Sequence, residues 1–317
     1  MNEPITQLTH RLVRMQKHRA KWGRRQGITC WRIYDHDISD QPLVIDWYAG
    51  DIVCWSWRRT KDETPAQDEA WIESVRVAVQ TALAVAPERV WMKRRRQQTD
   101  RQHGGQYERL AEHSTVREVH EGGLRFAVNF SDYLDVGLFL DHRPMRLRLG
   151  KEARNLDVLN LFCYTGAFTC HAAQGGARST VSVDLSNTYL DWARRNLASN
   201  GLVGAGHSFE RADCLEWLKA AANKGQRFDR IICDPPTFSN STGMEGSFSI
   251  DRDHDWVIRM LRALLRPGGV AYFSTNSRRF VPGPSLATAS EITAQTTDED
   301  FRGRPAHRCW QLDSAES

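Results

Sequence analysis

The chain has 317 residues, 40% of them hydrophobic and 26% charged, with a net charge of +4, a composition of ordinary globular protein that favours two domains or one large domain with an appendage. The longest apolar runs, such as Val158–Phe162, are strand-sized and far short of a membrane span of roughly 20 residues, and the polar start Met1–Leu8 lacks the apolar core of a signal peptide, so a cytoplasmic protein with no membrane partner is expected. The seven cysteines are scattered without zinc-site spacing, which predicts reduced thiols, no disulfide framework and no metal.

In chain order, Leu8–Gln26 is densely basic, with Arg11, Arg14, Lys17, Arg19, Lys21, Arg24 and Arg25 and no acid between them. Ile5, Leu8, Leu12, Met15 and Trp22 recur at helical spacing, which predicts an amphipathic helix with a cationic outer face. Gly27 ends it. Strand-like runs follow at Ile28–Tyr34, Leu43–Tyr48 and Ile52–Trp57, then a helix over Trp71–Val85. Val90–Arg96 begins as a strand and ends in a second basic cluster, Lys93, Arg94, Arg95 and Arg96. Gln97–Gln106 is polar and contains Gly104–Gly105, a loop composition. Leu124–Phe130 is strand-like. Residues 1–125 thus predict a small α+β domain. Two separate basic clusters suit contact with phosphates, although a charge run is also what a solvated helix face looks like. Trp22, Trp31, Trp55 and Trp57 nearby are read as core packing.

From residue 126 to 317 strands alternate with helices, the rhythm of a parallel sheet covered on both faces. Strands are predicted at Leu156–Phe162, Ser179–Val183, His207–Arg211, Phe228–Cys233 and Val270–Ser274. Helices are predicted at Gly166–Gln174, Thr188–Ser199, Cys214–Ala222 and Asp253–Leu265, the last ended by Pro267-Gly268-Gly269. Ile292–Thr296 and Cys309–Leu312 are candidates for a final hairpin. Pro282–Arg304 is poorly patterned.

In an open α/β sheet ligands bind at the carboxyl ends of the strands, and four such ends carry suggestive residues. Asn160-Leu161-Phe162-Cys163-Tyr164-Thr165-Gly166-Ala167 runs from strand through a tight turn into a helix, with one glycine for close backbone approach. That is too few glycines for a pyrophosphate fingerprint and suits a cofactor without phosphates. It opposes a nicotinamide-dependent oxidoreductase. Asp184, with Leu185 after it, stands about 20 residues on, where an acid accepts both hydroxyls of a ribose; a helix N-cap is the alternative, for which Ser186 or Asn187 is better placed. Asp213-Cys214 offers a carboxylate either for an adenine amine or for a helix cap. Asp234-Pro235-Pro236-Thr237-Phe238 puts a carboxylate, a rigid diproline and an aromatic at the end of an apolar strand, a combination that a plain loop rarely has.

In this order and spacing the four ends resemble the class I methyltransferases that use S-adenosylmethionine (SAM). Phe139-Leu140-Asp141-His142-Arg143, Asn160–Gly166, Gly175–Thr180, Thr188-Tyr189-Leu190, Asp213-Cys214 and Asp234–Ser241, with Gly27–Asp35 in the first half, are similar to the bacterial 23S rRNA guanine-N7 methyltransferases, a family that forms one half of a bifunctional enzyme in some bacteria. The resemblance implies a Rossmann-like seven-stranded sheet with helices on both faces and a smaller N-terminal α+β domain that binds RNA. It implies SAM over Tyr164–Gly166, its ribose on Asp184, its adenine on Asp213, and Asp141-His142-Arg143 closing over the methionine end. Asp234, Pro235, Pro236 and Phe238 would face the methyl and the target base. The expected partner is 23S rRNA or a large-subunit assembly intermediate, bound through Arg11, Arg14, Arg24, Arg25 and Lys93–Arg96. Guanine N7 carries an exposed lone pair, so transfer to it needs placement rather than a general base. The segment Phe273-Ser274-Thr275-Asn276-Ser277 has no cysteine nucleophile, which argues against carbon-5 methylation. An exocyclic amine such as guanine N2 stays open as the target, and a non-catalytic RNA-binding protein is the further alternative.

Overall fold

The computed structural model describes residues 3–60, 62–95, 115–239 and 247–314. Arg96 and the loop expected at Gln97–Gln106 lie outside the described residues. The chain divides into two units: the residues up to Gly123 with Ala127–Val136, and Leu124–Phe126 with the chain from Gly137 onward.

In the first unit, helix α1 (Glu3–Gln26) turns Ile5, Leu8, Leu12 and Trp22 into the core, as the helical spacing predicts. Three antiparallel strands follow, β1 (Cys30–Asp35), β2 (Leu43–Tyr48) and β3 (Asp51–Ser56). Helix α2 (Pro65–Leu83) starts earlier than its apolar pattern suggested. Thr64 and Gln67 form a reciprocal capping box there, and Pro65 fits the first turn. It carries the chain to β4 (Val90–Arg94), which pairs parallel to β3. Trp22, Trp31 and Trp55 are buried, as core packing requires. The strands β5 (Val116–Glu121) and β6 (Leu124–Asn129) pair with each other, and the division between the units falls within β6.

The second unit opens with helix α3 (Arg143–Glu152). Strand β7 (Asp157–Leu161), helix α4 (Ala167–Gln174), strand β8 (Ser179–Asp184), helix α5 (Asn187–Ser199), strand β9 (His207–Arg211), helix α6 (Cys214–Asn223) and strand β10 (Phe228–Cys233) then alternate as expected. A short ribbon of β11 (Phe238–Ser239) and β12 (Phe248–Ser249) precedes helix α7 (Ile250–Ala263). Strand β13 (Leu265–Thr275) begins earlier than predicted. Phe228 pairs with Leu265 but Arg230 with Val270, so Pro267-Gly268-Gly269 bulges inside the strand rather than following the helix. Two final strands, β14 (Ser290–Glu291) and β15 (Arg308–Asp313), pair antiparallel. This hairpin uses Ser290–Glu291, because Thr293–Gln295 closes into a 3-10 turn.

The seven strands lie in the order β14-β15-β13-β10-β7-β8-β9. β7 through β10 and β13 are mutually parallel, and β15 runs antiparallel to β13. The order reverses between β7 and β10, which makes the carboxyl ends of β7, β8 and β10 the ligand-binding crevice of such a sheet. The centre is buried on both faces. Leu159, Leu161, Ile231, Cys233 and Phe273 join one cluster with α6 and α7, while Val158, Ile232 and Tyr272 join another with α3. All seven thiols are free and buried.

Candidate active site

The turn after β7 is unusual in its backbone. Phe162, Tyr164 and Gly166 all take positive φ, at 53°, 50° and 73°. Glycine is needed at 166 for a second reason: a Cβ there would lie 2.6 Å from the Cβ of Ala193 on α5. The missing side chain expected to admit a ligand instead admits helix α5. Packing pins the turn elsewhere too. The Phe162 N–H donates to Cys214 Sγ (3.3 Å), and Thr165 Oγ1 donates to the Gly137 carbonyl (2.5 Å). Asn160 is buried and donates to Thr169 Oγ1 (2.9 Å), so its side chain braces β7 against α4 from inside. The Cys214 thiol is likewise interior, donating to the Val183 carbonyl. Helix α4 has no side-chain cap at its N-terminus, which leaves first-turn N–H groups for a ligand.

At the end of β8, Asp184 accepts the Tyr164 N–H on one oxygen and the Ser186 N–H on the other, both at 2.9 Å. Burial raises its pKa, and those backbone N–H groups pull it back down. Ser186 is the cap of α5, accepting from the Tyr189 N–H, so Asp184 is not spent on that helix. Asp213 does cap α6, its Oδ1 accepting from the Leu215 N–H (2.7 Å). A carboxylate has about four lone-pair positions, so both aspartates keep acceptor capacity. Together with the uncapped helix start, that donor and acceptor set fits a nucleoside cofactor: hydroxyls at Asp184, an amine at Asp213, and backbone N–H groups at the turn. Half-buried Leu185 and Ala167 flank it. Phe139, which the sequence reading passed over except as part of a motif, is 41% exposed with its ring 5.1 Å from Tyr164.

At the end of β10, Asp234 accepts from Ser274 Oγ on β13 (2.6 Å), and His142 Nε2 lies 3.1 Å from its other oxygen. Burial opposes its ionisation, but His142 and the Ser274 hydroxyl hold its pKa below the usual carboxylate value. The two prolines turn the chain away. Thr237 donates to Asn276 Oδ1 (2.7 Å) and Phe238 stands 37% exposed.

The Asp141-His142-Arg143 triplet splits three ways. Arg143 is 1% exposed and paired with Asp298 (2.9 Å) and Asp300 (3.2 Å), so it is enclosed by protein rather than open to the methionine end of a cofactor. Asp141 meets His307 Nδ1 at 2.9 Å. His142 points to Asp234. His307 and the acids of the poorly patterned segment were missed by the sequence reading. Asp141 and His307 are 166 residues apart in sequence, and no local signal joins them.

Among the basic residues, Arg14, Arg24 and Arg25 stand exposed on α1, and Arg11 pairs with Asp37 (2.7 Å). Among the described residues of the second cluster, Lys93 is turned inward and Arg94 and Arg95 are paired with acids. Lys93 is buried, donates to the Tyr133 carbonyl, and is pushed by burial down to about 8. Arg94 pairs with Asp68 and Glu69, and Arg95 with Asp135.

Residues 27–299 match the model of the S-adenosylmethionine-dependent methyltransferases. The chain belongs to that family. Its relatives include proteins named ribosomal RNA large subunit methyltransferase K/L from Pseudomonas entomophila, 45% identical over 98% of this chain and 42% of the relative, and from Stutzerimonas stutzeri, 45% identical over 98% and 43%. The chain thus spans less than half the length of these relatives. The fold of this family member is shared with a methyltransferase solved with SAH (TM-score 0.75, 21% identical, 98% of this chain and 81% of that one). A SAM-dependent methyltransferase from Agrobacterium tumefaciens shares it too (TM-score 0.60, 20% identical, 86% and 87%). Among the described residues no helix is long and apolar enough to cross a membrane.

Proposed function

We propose that this methyltransferase acts on N7 of a guanine in 23S rRNA. The observation that carries the proposal is the end of β10: a carboxylate kept ionised at the mouth of the sheet, beside an exposed aromatic, in a chain 45% identical to proteins named for ribosomal RNA large subunit methylation.

When bound, SAM supplies an electrophilic methyl group on a sulfonium. Asp184 would take its ribose hydroxyls, Asp213 its adenine amine, and the turn Tyr164–Gly166 would lie against it. Phe238 would stack on a guanine extruded from the RNA, a contact worth about 1–3 kcal/mol. Asp234 supplies a fixed negative charge next to a ring that becomes cationic when N7 is methylated. Its depressed pKa makes it a weak base, which suits N7, where no proton has to leave, better than an amine, where one does. The exposed arginines of α1, Arg14, Arg24 and Arg25, would meet RNA phosphates.

The test is transfer of label from SAM to unmodified large-subunit rRNA, followed by digestion to nucleosides. Label in N7-methylguanosine supports the reading. Label in N2-methylguanosine retains the site and replaces the target atom. Absence of label on naked rRNA and on assembly intermediates alike, with SAM still bound, would overturn the substrate.

A further inference from the structure

Behind Asp234 lies a buried chain of polar groups that the methyl-transfer chemistry does not itself demand. His142 is 4% exposed, and its Nε2 lies 3.1 Å from Asp234 Oδ2 and 3.8 Å from Asp141 Oδ2. Asp141 Oδ2 also meets His307 Nδ1 at 2.9 Å, and His307 Nε2 is 3.2 Å from Thr296 Oγ1. The two imidazoles stack, centroids 4.2 Å apart and planes 14° from parallel. Asp141, His142 and His307 have the composition of a metal site. The stacking opposes one, because in-plane lone pairs of parallel rings run side by side and do not converge on a single ion. The His142 nitrogen nearest the acids is, moreover, already in contact with Asp234.

We propose that His142 is a positioning residue for Asp234: it holds one carboxylate oxygen while Ser274 holds the other, so that the anion presents its remaining lone pairs in one fixed direction toward the base. This rests on the reading of Asp234 as the group facing that base. Both hydrogen bonds are charge-assisted, and each fixes a different oxygen, which leaves the carboxylate no free rotation. Among the described residues His142 Nδ1 has no hydrogen-bond partner. The charge on the ring is therefore held only from the Nε2 side, by the acids clustered there. The groups facing His142 are Asp234 from the end of β10, Asp141 from its own turn, Arg146 from α3 and His307 from the approach to β15. Burial alone would discharge the imidazole; Asp234 and Asp141 outweigh it and raise its pKa, against a smaller opposing effect from Arg146. The charge on the imidazole is complete below the ordinary histidine value and is lost as pH rises through the raised one, which leaves only the weaker hydrogen bond of the neutral ring to hold Asp234.

The experiment compares wild type, His142→Gln, His142→Ala and Asp234→Ala, using labelled SAM and unmodified large-subunit rRNA, and titrates the His142 imidazole by NMR in wild type and Asp234→Asn without cofactor. The proposal expects kcat of His142→Ala to fall about 10- to 100-fold, the value of one charge-assisted hydrogen bond at the reacting group. SAM affinity should stay within about 2-fold, and Gln, which keeps a donor, should recover part of the loss. The alkaline limb of the kcat profile should be present in wild type and absent in His142→Gln. The imidazole should titrate above its ordinary value in wild type and fall in Asp234→Asn. Unchanged kcat and pH profile in His142→Gln, or an imidazole indifferent to Asp234→Asn, overturns the proposal while leaving the role of Asp234 intact. Full turnover in Asp234→Ala overturns the reading beneath it instead. Should the His142 variants fail to fold, the two NMR titrations decide.

Discussion

Asp184 and Asp234 occupy equivalent places, each the residue where a parallel strand of the sheet delivers the chain to the crevice, yet they carry opposite electrostatics. Asp184 is held by backbone N–H groups, those of Tyr164, Leu185 and Ser186, and burial raises its pKa. Asp234 is held by an imidazole and a hydroxyl, and its pKa is lowered despite burial. Position in the fold makes a strand-end carboxylate available; its neighbours decide whether its ionisation is opposed or favoured.

Substitutions can break this comparison. The largest expected effect is Asp234→Asn, which keeps shape and removes charge: kcat should fall about 100- to 1,000-fold, the range for one preorganised electrostatic contact, with SAM affinity nearly unchanged. Equal losses in kcat and SAM affinity would show that Asp234 binds cofactor in the way Asp184 is proposed to. Next, Asp184→Asn should weaken SAM binding about 10- to 100-fold in calorimetry, with kcat at saturation largely kept. Smaller still, Ser274→Ala should lower kcat roughly 3- to 30-fold, since a neutral donor to a charged acceptor is lost while His142 remains. The smallest effects concern stability, and their pH trends should run in opposite directions. The raised pKa of Asp184 means that its ionisation costs folding energy, a cost that appears as pH rises past the ordinary carboxylate value. Asp184→Asn removes that cost but leaves the Tyr164 or the Ser186 backbone N–H without its acceptor, so relative to wild type its melting temperature should fall, and fall less at pH 7 than at pH 4. The lowered pKa of Asp234 gives stability present at neutral pH and lost as pH falls through it, so Asp234→Asn should lower the melting temperature at pH 7. Thermal unfolding at both pH values checks the pair.

The four strand ends were legible because each carries a local mark: a lone glycine at 166 after the apolar run of β7, single carboxylates at Asp184 and Asp213, and a carboxylate followed by a diproline at Asp234. The groups that set their charge were not. His307 reaches Asp141 from 166 residues away. Pro282–Arg304 shows no period because it folds as short 3-10 turns around the two-residue strand β14, and its polar contacts, Asp298 and Asp300 to Arg143 and Thr296 to His307, are single ones. The surroundings of the second basic cluster were hidden for a related reason. A run of like charges reads as a patch, but strand alternation on β4 sends Lys93 inward and Arg94 outward to waiting acids.

The seven enclosed thiols make a clock for opening of the fold. Burial pushes Cys170 and Cys309 up to about 12 and raises Cys54 and Cys233 as well, so almost no thiolate exists at neutral pH while the chain is closed. An alkylating reagent must then wait for each segment to breathe. Cys54 on β3 belongs to the first unit and Cys233 on β10 to the second, so the two labelling rates, followed by mass spectrometry, time the opening of each unit separately within one intact chain.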